Sequence, residues 1–100
     1  MLRDSPHEIE AYVQAAELYA KSGKPARAIE LFRALREVEG VSQARDIYAS
    51  NRLIDLYVRT QADDGRALVE LRRLVERYPG TDTAVHAREA LGMLKARRAG

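Results

Sequence analysis

An all-α chain of antiparallel helical hairpins follows from three observations on its 100 residues. Apolar residues recur at three- and four-residue spacing in five segments, and nowhere alternate as they do in a half-buried strand. The segments are separated by short connections carrying Gly, Pro or an Asp pair, and short loops between helices make antiparallel neighbours. The layout of "AELYAKSGKPARAIELF" returns in "IDLYVRTQADDGRALVEL", one helical hairpin further along the chain.

The first helix opens at Ser5-Pro6-His7-Glu8, a capping box with Pro at the first helical position. Ile9, Tyr12, Ala16 and Tyr19 form its apolar stripe, widened by Val13 and Ala20, and Gly23 stops it. Pro25 opens the second helix, whose apolar face is Ala28, Leu31, Phe32, Leu35 and Val38, and Gly40 ends it. Ser42 caps the third, with Ile47, Ile54 and Tyr57 on one side and Leu53 beside them. Asp63 or Asp64 caps the fourth, where Ala67, Leu68, Leu71, Leu74, Val75 and Tyr78 fall in register before Pro79-Gly80. Thr81 or Asp82 starts the fifth, carrying Val85, Ala87, Leu91 and Leu94, and the polar end "KARRAG" is expected to fray.

Bulk composition narrows the function classes. A chain this short buries roughly 60–65% of its unfolded surface, which leaves a thin core. Without cysteine there is neither a disulfide frame nor a thiolate metal site. Seventeen basic against 15 acidic residues give +2, too small a surplus to imply nucleic acid or an anionic membrane. The 14 Arg against 3 Lys, beside 16 Ala, read as the codon bias of a GC-rich bacterial genome. No apolar h-region and no membrane-length apolar run is present, so no membrane insertion is expected, and the compartment, cytoplasmic or periplasmic, stays open.

The internal period carries a family resemblance. Tyr19 recurs as Tyr57, Ala28 as Ala67 and Leu53 as Leu91, each one hairpin apart. The chain resembles the tetratricopeptide repeat (TPR) family, whose pattern is an aromatic, Leu-Gly, Tyr, Ala, Phe and Pro at set intervals. The first unit reads Tyr12, Ala15-Ala16, Tyr19, Ala28, Phe32, with Gly40 where Pro is usual. The second reads Ser50, Leu53-Ile54, Tyr57, Ala67, Leu71, Pro79, and the third is only begun with Arg88, Leu91-Gly92 and Lys95. The stretch "ERYPGTDTAVHAREALGMLK" is also similar to hairpin junctions of bacterial envelope-associated repeat proteins.

The resemblance implies one TPR-like domain over residues 1–100, a five-helix fragment of a right-handed superhelix. Repeat one covers about residues 8–41, repeat two about 43–80, and a capping helix or begun third repeat about 82–97. Small side chains at Ala16, Ala28 and Ala67 then let helices approach, with Tyr19 and Phe32 filling the wedge between them. Extra residues in each period relative to the family pattern, mainly in "EGVSQARDIY", imply longer helices or altered crossing angles.

Catalytic and metal chemistry find no foothold. His7 and His86 are the only histidines and lack neighbours that would complete a metal site or a triad. "SGKP" fails as a phosphate loop, with Leu18 where Gly is needed and Pro25 where Ser or Thr is needed. Glu30 with Arg33, Glu70 with Arg73 and Asp55 with Arg59 have the spacing of solvated surface pairs. The expectation is no enzyme and no cofactor.

A binding module remains. Stacked hairpins offer a concave face to peptides or partner helices, lined in the resembled family by the first helix of each hairpin. Carried over, the partner-binding residues are Val13, Glu17 and Lys21 from unit one, and Tyr48, Asn51, Asp55 and Arg59 from unit two. Glu10, Ala20 and Val58 lie alongside, with His86, Glu89 and Met93 from the begun third unit. Glu17 stands where some family members place a carboxylate-clamping residue, and would repel such a ligand. The expected role is a protein-protein interaction scaffold or adaptor for a protein or peptide. The alternative is self-association through the terminal helix. Arg72, Arg73 and Arg77 are interrupted by Glu70 and Glu76, so no nucleic acid is expected. The expected state is a monomer or weak homodimer.

Overall fold

The computed structural model describes residues 5–99, with side chains from residue 7. Five helices run in order: α1 (Ser5–Lys21), α2 (Pro25–Arg36), α3 (Gln43–Arg59), α4 (Asp64–Arg77) and α5 (Asp82–Ala99). Among the described residues there is no strand. The Ser5 side chain of the expected capping box lies outside the described side chains. Helices α1 and α3 are equal in length. The chain divides into two compact units, Met1–Leu53 and Ile54–Gly100.

In the first unit α1 packs on α2. Gly23 turns the chain between them at φ +75°, a left-handed conformation that an L side chain rarely adopts. The Lys24 N–H closes the turn on the Tyr19 carbonyl at 2.9 Å, and Pro25 sits in the first turn of α2. Gly40, at φ +82°, ends the segment after α2. Ala16, Ala28, Phe32, Leu35, Ala49 and Leu53 are fully buried, with Ile9, Val13, Ile29 and Val38 close to it. Tyr19 is only half-buried, beneath the Arg27 guanidinium, 5.9 Å from the ring centre.

The start of α3 departs from expectation. Ile47 is half-buried, and the buried stripe is instead Asp46, Ala49, Ser50 and Leu53. These four lie at i, i+3, i+4 and i+7, one helical face. Two of them are polar, so apolar periodicity misses the face. Ser50 is accommodated by a hydrogen bond from Arg36 Nη1 at 3.1 Å, since a buried hydroxyl without a partner is costly. The expected Ser42 cap is formed, its hydroxyl accepting from the Arg45 N–H at 3.1 Å.

The second unit is built on α4 and α5. Ala67, Leu68, Leu71, Leu74 and Tyr78 meet Ala84, Ala87 and Leu94 in its core, together with Leu56 and Tyr57. Of the two candidate caps for α4, Asp63 serves, accepting from the Arg66 N–H at 3.1 Å. Thr81 caps α5, accepting from the Ala84 N–H at 3.2 Å and donating to the Tyr78 carbonyl at 2.6 Å. Helix α5 continues through the "KARRAG" end as far as Ala99. Arg97 donates to both oxygens of Asp64 at 2.9 and 3.0 Å, fastening the end of α5 to the start of α4.

Among the expected surface pairs, Glu70 is buried at 8% exposure rather than on a solvated face. Glu30 is paired at 3.5 Å with Arg27, not with the expected Arg33. Asp55 and Arg59 do pair, at 2.7 Å.

Candidate functional site

The polar centre of the first unit is Glu17. Its carboxylate takes a two-pronged bond from Arg52, Nε to Oε2 at 2.9 Å and Nη2 to Oε1 at 2.8 Å. The Tyr48 hydroxyl donates to the same Oε2. A fork of this kind fixes both position and orientation of the carboxylate. The two side chains are only 29% and 25% exposed, so water screens the pair less than an ordinary surface pair. Two turns earlier along each helix, Arg45 pairs with Glu10.

Aromatic rings lie between these ion pairs. Tyr48 meets Phe32 edge to face, with centroids 6.2 Å apart and planes at 66°. The Arg45 guanidinium lies 5.8 Å from the centre of the Tyr48 ring, and that of Arg52 lies 5.6 Å from the centre of Phe32. Each cation thus gains a ring as well as a carboxylate.

Protonation follows from this arrangement. Burial pushes the Glu17 carboxyl up, but the bonds from Arg52 and Tyr48 and the charges of Arg52 and Lys21 outweigh it, leaving it below its ordinary value. Burial pushes the Tyr48 phenol up, and its bond to Glu17 and that carboxylate's charge push it further, against the opposing pull of Arg52 and Arg45. The pair is therefore a carboxylate and a neutral phenol at pH 7.

Of the residues named from sequence, Glu17 and Tyr48 are brought into direct contact. Lys21 and Asn51 are exposed, and Val13 is buried in the core at 9% exposure. Asp55 and Arg59 belong to the second unit, where they pair with one another. Arg52 is not among the residues named from sequence, although a signal existed. Glu10 and Glu17 stand seven apart, Arg45 and Arg52 stand seven apart, and the two acid–base pairs share one sequence separation. Such a spacing is about two helical turns, so an acidic ladder on α1 faces a basic ladder on α3.

Among the described residues no three His, Cys, Asp or Glu side chains are grouped to hold a metal ion. No described helix is long and apolar enough to cross a membrane.

The tetratricopeptide repeat family model matches residues 10–38, which span most of α1 and all of α2. No curated protein and no solved structure matches the chain. Repeats of this family generally mediate protein–protein interaction, and the family is typically a non-enzymatic scaffold. The match over the first hairpin and the all-helical architecture of the described residues support assignment of a tetratricopeptide repeat to this part of the chain.

Proposed function

We propose that the chain binds an extended peptide, or an extended segment of a partner protein, on the face that α1 and α3 share. This is the concave face by the family's pattern, and the role is that of a scaffold or adaptor. The observation that carries the reading is the fixed Glu17–Arg52–Tyr48 cluster beside the exposed amide of Asn51. The cluster makes a rigid floor, and preorganised binding surfaces lose less entropy when a ligand docks. Asn51 offers a donor and an acceptor, the pair that an extended peptide backbone requires. Lys21 supplies a charge at the end of α1. Glu17 is neutralised by Arg52, so the floor does not repel an acidic ligand as a bare carboxylate would.

The test begins with selection of peptides from a random library on the full chain. Binding is then measured by fluorescence anisotropy for Asn51→Ala and Lys21→Ala. The expected result is a weakening of about tenfold for each, equivalent to about 1.4 kcal/mol, with an unchanged melting temperature. Peptides whose binding survives both substitutions would remove this face from consideration.

A further inference from the structure

We propose, on the reading of the α1 and α3 face as a peptide site, that Arg52 is its positioning residue: it fixes the rotation of α3 about its own axis and thereby the direction of the Asn51 side chain. The buried stripe on the first part of α3 is Asp46, Ala49, Ser50 and Leu53, of which only Leu53 is a large apolar side chain. Apolar contact is non-directional, so a stripe with so little of it sets the rotation of a helix poorly.

Arg52 supplies the missing direction. The edge of its guanidinium donates Nε and Nη2 to the two oxygens of Glu17 on α1, at 2.9 and 2.8 Å. Its centre lies 5.6 Å from the centre of the Phe32 ring, which is fully buried on α2. One planar group is thus held by its edge and against a ring by two different helices. The bonds from Arg45 to Glu10 and from the Tyr48 hydroxyl to Glu17 each join one donor to one acceptor, an arrangement that allows a sweep which a fork does not. Asn51 immediately precedes Arg52 on α3 and is exposed. With side-chain ends about 6 Å from the helix axis, a turn of about 20° carries the Asn51 amide about 2 Å. That shift takes a donor or acceptor out of hydrogen-bond range. Lys at position 52 keeps the charge but has neither the fork nor the flat face.

The experiment uses the full chain and a fluorescein-labelled peptide selected on it from the random library. Asn51→Ala and Arg52→Lys each weaken this peptide by about tenfold, while circular dichroism shows the same helix content. In the Arg52→Lys background, Asn51→Ala weakens it by less than about a further twofold, because a misdirected amide contributes little that can be lost. Full affinity in Arg52→Lys overturns the proposal, since charge alone then suffices. So does a tenfold loss from Asn51→Ala that repeats undiminished in the Arg52→Lys background, the additive result of a merely structural Arg52. Full affinity of Asn51→Ala in the otherwise unaltered chain is a different failure: it overturns the part assigned to Asn51 on the face and, with it, the positioning role.

Discussion

Glu17 holds its charge because two donors reach it at once. Removing one of them leaves a half-buried carboxylate short of a hydrogen bond, which costs about 1–3 kcal/mol. Arg52→Ala is therefore expected to lower unfolding free energy by about that amount in urea denaturation, and an exposed change such as Arg33→Ala by less than about 0.5 kcal/mol. The pH dependence has a definite sign. Because the folded Glu17 value is lowered, its contribution is present above the ordinary value of 4.5 and is lost as pH falls through the folded one. Because the folded Tyr48 value is raised, its contribution is present below 10.0 and is lost as pH rises beyond it. A melting-temperature profile should thus fall at both ends, and Glu17→Gln should flatten the acid limb. An acid limb identical in the variant would show that Glu17 does not contribute to it.

Helix pairing depends on small side chains at the contacts. Ala28 on α2 and Ala67 on α4 are fully buried. Leu at either position overpacks the contact and should destabilise the chain by about 1–3 kcal/mol, read from the shift in thermal midpoint. At Gly23 an added methyl group meets nothing within 4 Å. Gly23→Ala should therefore cost only the left-handed backbone strain, about 1–2 kcal/mol. These elements were legible in the sequence because their signals are local. Ser42, Asp63 and Thr81 cap the helices that follow them, and Gly23, Gly40 and Gly80 turn the chain at positive φ. The core face of α3 was not legible. Asp46 and Ser50 occupy it, and only a tertiary partner such as Arg36 makes a buried Ser readable.

At the scale of the whole chain, the repeat explains why the fold could be read and the site only in part. A hairpin-length period repeats local patterns, and each hairpin writes its own instructions. Contacts between α1 and α3 depend on the rotation of one helix against another, which no local pattern encodes. So Glu17 and Tyr48, both named from the sequence, meet in the structure, while Arg52, one turn beyond Tyr48, was missed. The terminal helix bears on the state of association. Met93 is 75% and Val85 46% exposed, with open space over Gly92 between them in sequence, whereas Ala84, Ala87 and Leu94 are covered by the core. Two apolar side chains fall far short of the roughly 800 Å² per partner that a stable interface buries. Arg88, Glu89 and Lys95 add charge to α5. Sedimentation at micromolar concentration should accordingly show a monomer, with at most weak dimers at higher concentration. Met93→Glu should leave that distribution unchanged. A stable dimer that Met93→Glu dissociates would instead make α5 an assembly surface, and self-association the leading role.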